Sequence, residues 1–348
     1  MTKHYSFDFQ YLNLIFLLWF FVFCSCEKEN DISTIEKFDK GVFVLNEGNF
    51  QWENSSVSFY SKNSKEVSNH IFYNRNLKKL GDVAQSMSIY DSLACIVINN
   101  SQKVEIVKIN NFESVGTIIG FVSPRHIQVI NNEKAYVTDL YSNSIQVVNL
   151  EQKQIASEIN CNGWCEQMLF FQNELFVANI GGNQILKIDV YTNLIIDSLE
   201  TSAAPNSIVI DKNEKIWVLC GNIYGKSGNA KLIRFNPTNM EIEKSFLFPE
   251  TNSSPTNLNT NGVRDTLFFA DGDIFRMSIY DDNLPKSNFI SANKNNIYGL
   301  GLDPENSDIY FSDAKDYLQN GIIYRYSSSG SKLDSFAVGI IPQFFCFN

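Results

Sequence analysis

"KAYVTDLYSNSIQVVNLEQKQIASEI" (134–159) lines up with "ELFVANIGGNQILKIDVYTNLIIDSL" (174–199), and the match decides the fold. Each segment reads as strand, turn, strand, turn, strand. Short runs rich in β-branched and aromatic residues are bounded by Asn, Gly and Asp, which favour turns. Weaker copies of the first strand stand at "KIWVLCGN", "TLFFADGD" and "DIYFSDAK" downstream, and at "GVFVLNEGN" and "LACIVINNS" upstream. Ahead of the later copies lies one more short strand: "QSMSIY", "RHIQVI", "EQMLFF", "NSIVID", "TNLNTN" and "YGLGLD". Four strands at a period of roughly 40 residues is the signature of a β-propeller blade.

The copies give seven second strands but six innermost strands before them. The first unit starts directly at Gly41, and the missing strand stands at the other end, where "PQFFCFN" (342–348) matches "PNSIVID" (205–211). The sequence therefore predicts an all-β, seven-bladed propeller over 41–348. Its C-terminal strand closes the first blade and removes the exposed sheet edges of an open ring.

Strand direction places the blade-to-blade connections and the hairpins between second and third strands on one face. Two rings of residues follow. Gln343, Gln85, Arg125, Glu166, Asn206, Thr256 and Tyr298 start the innermost strands, and Asn46, Asn99, Asp139, Asn179, Cys220, Asp271 and Asp313 end the second strands. Both rings, apart from Cys220 and Asp271, are expected to meet a ligand, together with Glu47. Aromatic residues gather nearby: Phe50, Trp52, Tyr141, Trp164, Tyr224 and Tyr317, with Tyr224 and Tyr317 in the long loops 220–231 and 312–321. Long loops on a rigid scaffold commonly carry function.

Other chemistries find little support. Cys161 and Cys165 fall in a blade-to-blade connection; zinc wants four ligands, and no His lies near them in the alignment. A local disulfide and two free thiols both remain open. His126 follows Arg125, so strand alternation turns it away from the channel, against a Ser-His-Asp arrangement. A calcium-binding propeller lactonase would want Glu, Asn and Asp around the channel; Glu166 and Asn206 supply two, then Thr256 and Tyr298 follow. Gly181-Gly182 precedes no helix, so no phosphate loop forms. No catalytic residue, metal ligand or cofactor is expected. The chain carries a net charge of −10, whereas nucleic-acid binding calls for a clustered basic face.

Ahead of the propeller, Tyr11 to Phe23 form an apolar run ending at "FVFCSCEKEND". It is short for a membrane span, which takes about 20 residues, and suits a secretory signal. Ser25-Cys26 after it resembles a bacterial lipobox, with Cys26 as the lipidated residue. The acidic residues Glu27, Glu29 and Asp31 resemble the surface-export signal of Bacteroidetes lipoproteins. The organisation expected is a signal peptide over 1–25, a tether over 26–40 and the propeller over 41–348.

"YVTD…NSIQVVNL" and "FVAN…NQILKIDV" resemble YVTN/YncE-type seven-bladed propellers. "VLNEGNFQWENSSVSFYS" with "LGDVAQSM" resembles a narrower set of Bacteroidetes surface lipoproteins that includes the BtuG cobalamin-binding propellers; the pattern departs at Cys165, where proline is more usual. The resemblance implies a non-enzymatic capture protein, lipid-anchored at the outer membrane on the cell surface. It would bind a large neutral molecule, a corrinoid first, for a TonB-dependent transporter. A glycan suits the same aromatic and amide residues, and a calcium-dependent lactonase or lyase is the competing class.

Overall fold

The computed structural model describes residues 1–3, 37–221 and 229–348. The chain divides into two units, 1–37 and 38–348, and the second holds the fold. The expected signal peptide beyond residue 3, Cys26 and nearly all of the expected tether lie outside the described residues.

Among the described residues, seven antiparallel sheets form, six of four strands and one of three. The innermost strands are Ala84–Tyr90, Pro124–Val129, Cys165–Phe171, Ala204–Ile210, Thr256–Thr260, Ile297–Leu302 and Pro342–Phe347. Each packs on the next, and the last packs on the first. The ring is closed, and the propeller expected from the repeats is the fold.

The second strands, such as Leu93–Ile98, Ile216–Gly221 and Ile309–Asp313, are almost wholly buried because both their faces meet neighbouring blades. This is why they read as continuous apolar runs instead of alternating. The outer strands Gln154–Asn160 and Leu194–Glu200 are largely exposed. Each core cluster joins residues of adjacent blades, as where Tyr136 and Ile145 meet Leu175 and Leu186.

Pro342–Phe347 pairs with Gly41–Asn46 and completes the first sheet. Its side chains alternate between two clusters. Phe344 and Cys346 pack on the core shared by the first and second blades, while Phe345 and Phe347 pack against Val42, Tyr60 and Tyr310 between the seventh and first. Gly299 and Gly301 make this joint possible: a Cβ on Gly299 would stand 2.1 Å from the carbonyl oxygen of Gln343, and one on Gly301 2.7 Å from Cβ of Phe345.

Two departures from the repeat appear. In the sixth blade the sheet stops after Asp273–Ser278, and only Ile290 bridges to Ile274 where a fourth strand was expected. The segment here contains Pro285, which has no N–H to offer a ladder. In the first blade the outer strand shrinks to Val67–Ser68, and a short helix, Ile71–Asn76, follows with Ile71 and Phe72 buried.

Candidate functional site

Every innermost strand is bulged where it enters the ring. The register against the second strand slips by one residue at Gln85, between Pro124 and Ile127, between Cys165 and Met168, at Asn206, between Thr256 and Asn259, between Ile297 and Leu300, and at Gln343. A bulge adds a residue that the ladder does not pair and re-aims side chains. Seven bulges turn Gln85, Arg125, His126, Glu166, Gln167, Asn206, Asn257, Tyr298 and Gln343 toward one cavity of about 690 Å³.

The bulges correct two sequence-based expectations. His126 does not turn away from the channel: its Nε2 lies 3.1 Å from Oε2 of Glu166, because strand alternation fails across the bulge. In the sixth blade the ring position belongs to Asn257, not Thr256. Thr256 pairs with Ala270 just as Pro124 pairs with Asp139, and the next residue, Asn257 at φ 57°, takes the bulge. Thr256 still borders the cavity.

Charge in the cavity centres on Glu166, which is buried. Arg125 Nε donates to its Oε1 at 2.8 Å, Trp164 Nε1 donates to the same oxygen, and His126 engages Oε2. Arg125 also donates to Oε1 of Gln85. Burial alone would raise the Glu166 carboxyl, but Arg125, then His126, outweigh it and hold it at about 2. The partly buried Arg125 guanidinium, which desolvation alone would lower, is in turn raised by Glu166. Across the cavity stands Glu47, whose Oε2 accepts from the Tyr298 hydroxyl at 3.1 Å. Burial pushes this carboxyl up to about 7, against the pull of Arg125 and Tyr298. One cavity thus holds a firmly ionised carboxylate and one that titrates near neutrality, the pairing by which sites separate acid and base roles.

The second ring has another role. Asn46, Asn99, Asp139, Asn179 and Asp313 are buried, and most of their polar atoms are spent on the protein, Oδ1 of Asn46 being left without a partner. Asp139 accepts from the backbone N–H groups of Val122, Ser123, Tyr141 and Ser142. Asn99 donates to Ser123 and Pro124, and Asn179 donates to Cys161 and accepts from Gly182. Asp313 accepts from Asn296 and Lys315, Asp271 from Ser254, and Asn46 donates to Ser56 and Ser58. These side chains latch each hairpin to the connection beside it. Strand ends leave backbone donors and acceptors that must be satisfied, and Asn46, Asn99, Asp139, Asn179 and Asp313 satisfy several of them.

Of the aromatic residues, Trp52 and Tyr141 are exposed at 68% and 70%, and Tyr317 at 42%. Tyr317 and Trp164 line the cavity, and Tyr317 meets Tyr298 edge-on at 5.8 Å. Tyr224 lies outside the described residues. Cys161 and Cys165 are free thiols in the connection that carries Trp164 and Glu166. Cys161 Sγ donates to the Gly163 carbonyl, and the interaction of the two thiols lowers Cys161 and raises Cys165.

Metal chemistry of the lactonase kind does not fit these residues. Both Glu166 oxygens are committed to Arg125, Trp164 and His126, Asn206 donates to the Pro255 carbonyl, and no group of three His, Cys, Asp or Glu converges among the described residues.

Residues 40–341 match a family described as a domain of unknown function, DUF5074, and the chain belongs to it. No curated protein matches. The fold is similar to that of a quinonprotein alcohol dehydrogenase-like protein from Bacteroides thetaiotaomicron, at a TM-score of 0.66 and 14% identity over 89% of this chain and 79% of that one. It is similar to a dihydro-heme d1 dehydrogenase, NirN, in complex with DHE, at 0.59 and 9% over 88% and 75%. A streptogramin B lyase gives 0.54 and 13% over 73% and 82%. At these identities the likenesses show the fold alone.

Proposed function

We propose that this DUF5074 propeller is a non-enzymatic capture protein that binds a large neutral ligand, a corrinoid first, at the mouth of its channel. The reading rests on one observation: bulges in all seven blades aim side chains into a single cavity. Arg125 and Glu166 balance each other's charge there, so a ligand meets the remaining guanidinium N–H groups of Arg125 together with amides and hydroxyls from Gln85, Gln167, Asn206, Asn257, Tyr298 and Gln343. Such groups suit a ring edged with carboxamides, and the exposed Trp52, Tyr141 and Tyr317 offer apolar contact beside them. The cavity of about 690 Å³ takes part of so large a molecule, the remainder lying across these rings.

Titration calorimetry with cyanocobalamin tests this, with a Kd in the micromolar range or tighter expected. Binding of a glycan but no cobalamin would transfer the site to sugars. The competing class is a proton-transfer enzyme, favoured by Glu47 near neutrality. Turnover of a lactone or ester that is lost in Glu47→Gln would decide for it.

The proposal includes anchoring at the outer membrane surface through a lipid on Cys26, and delivery to a TonB-dependent transporter, in the manner of the BtuG propellers that the chain resembles. Cys26→Ser should then move the protein from the detergent phase to the aqueous phase on phase separation. Unchanged partitioning would remove the anchor from the account.

A further inference from the structure

The connection between the third and fourth blades, "NCNGWC" (160–165), carries a thiol on either side of Trp164. Cys161 and Cys165 are both buried, and both belong to the core cluster that these two blades share. Asn179 draws the ends of the connection together. Its backbone pairs with Cys165, and its Nδ2 donates to the Cys161 carbonyl at 2.7 Å. Between the two cysteines, Gly163 at φ 154° packs so closely on Gly181 that a Cβ on it would stand 2.8 Å from the Gly181 Cα. The chain thus loops out and returns to the same residue, and the two thiols interact inside the turn. Asn162 is exposed and Gly163 half-buried, so the turn over the thiols lies at the surface.

The other described cysteines are not paired in this way. Cys95, Cys220 and Cys346 pack in three different clusters, and burial pushes each thiol up to about 12. Cys161 moves in the opposite direction, lowered by Cys165 beside it. A lowered thiol supplies more thiolate, the form that oxidants attack. A second thiol within reach then condenses with the oxidised sulfur to give a disulfide.

We infer that Cys161 and Cys165 are a modification site, a dithiol that a peroxide oxidises to an intramolecular disulfide, and that the change is felt in the cavity around Glu166, the upper mouth of the channel. The Cys161 thiolate attacks one peroxide oxygen and the O–O bond breaks. Hydroxide leaves, takes up the proton that Cys161 gave away and becomes water, and Cys161 is left as a sulfenic acid. The Cys165 sulfur then attacks the Cys161 sulfur, the S–O bond breaks, and hydroxide departs with the Cys165 proton as a second water. Two electrons pass from the sulfurs to the peroxide. The new bond takes Cys161 Sγ from the Gly163 carbonyl, to which it donates at 3.1 Å. That carbonyl adjoins Trp164, whose Nε1 holds Oε1 of Glu166. Neither the lipid anchor nor the identity of the ligand enters this inference.

The full chain is reduced, freed of reductant, treated with hydrogen peroxide near equimolar amounts and read by mass spectrometry and tryptophan fluorescence. The mass should fall by two hydrogens, peptide mapping should place the link between Cys161 and Cys165, and dithiothreitol should reverse it. Emission should shift on oxidation and return on reduction, and the shift should be lost in Trp164→Phe. In Cys165→Ser the reaction should stop at a sulfenic acid on Cys161 that dimedone captures. Cys161→Ser should consume peroxide about tenfold more slowly. No reaction of the parent chain, added oxygen without a cross-link, a link between other cysteines, or an emission unmoved by the cross-link would overturn the inference.

Discussion

Truncation before Pro342 should abolish cooperative folding of the propeller. The deleted strand supplies Phe344, Phe345 and Phe347 to two core clusters, Phe345 buried and the other two half-buried, and full burial of a ring of this kind stabilises by about 1.5–3 kcal/mol. It also holds the ladder to Gly41–Asn46, and Asn348 exchanges two backbone hydrogen bonds with Gly41. The summed loss rivals the roughly 5–15 kcal/mol net stability of a whole domain, and it leaves the inner edge of the first blade unpaired. The expected result is a chain that binds a hydrophobic dye and shows no sharp melting transition. Phe345→Ala isolates one contact and should cost about 3–5 kcal/mol. A truncated chain melting at the full-length temperature would contradict a closed ring.

The two cavity carboxyls should respond to substitution with opposite signs. Glu166→Gln removes the partner of Arg125 and His126 while leaving the guanidinium in place, and breaking such a buried pair costs about 3–5 kcal/mol. Because Glu166 is held at about 2, below its ordinary value, its contribution is complete above about pH 4.5 and fades as the pH falls toward 2. Glu47 is raised to about 7, so the folded state prefers it protonated. Its contribution is complete below about pH 4.5 and is lost as the pH rises through 7. Glu47→Gln should therefore match the parent at pH 4.5 and exceed it at pH 8 by about 2 kcal/mol, allowing for the partial exposure of the group. Urea denaturation at both pH values measures all of this. A Glu166→Gln variant as stable as the parent, or a Glu47→Gln variant less stable at pH 8, would mean the cavity's electrostatics are not those described.

The architecture was legible because a blade is local: Tyr136, Val137, Phe176 and Val177 sit in short runs that recur with turns between them. Closure was legible because "PQFFCFN" repeats the inner-strand pattern. What the sequence hid were the bulges. An extra residue leaves no compositional mark, so alternation misplaced His126. In "TNLNTN" the alternation of Thr and Asn gave no means of choosing Asn257 over Thr256. The second ring reads two ways for a chemical reason. Asn and Asp at strand ends are as apt to cap backbone as to hold a ligand, and only the geometry around Asp139 and Asn179 distinguishes the two. Arg125, Glu166 and Tyr298 were identified as ring residues, but their pairing depends on contacts between blades, which the repeat alignment does not contain. The helix at Ile71–Asn76 is too short to show a period.

The central claim, that the upper mouth is the ligand site, is tested most directly by one comparison. Cyanocobalamin is titrated at one temperature, below the melting transition of every sample, into the parent protein, Arg125→Gln, and Asn132→Ala on the opposite face. The account predicts that Arg125→Gln binds about 2 kcal/mol more weakly, roughly thirtyfold, and that Asn132→Ala stays within about 0.5 kcal/mol of the parent. No heat with the parent protein, or an affinity that falls in Asn132→Ala and holds in Arg125→Gln, would contradict it.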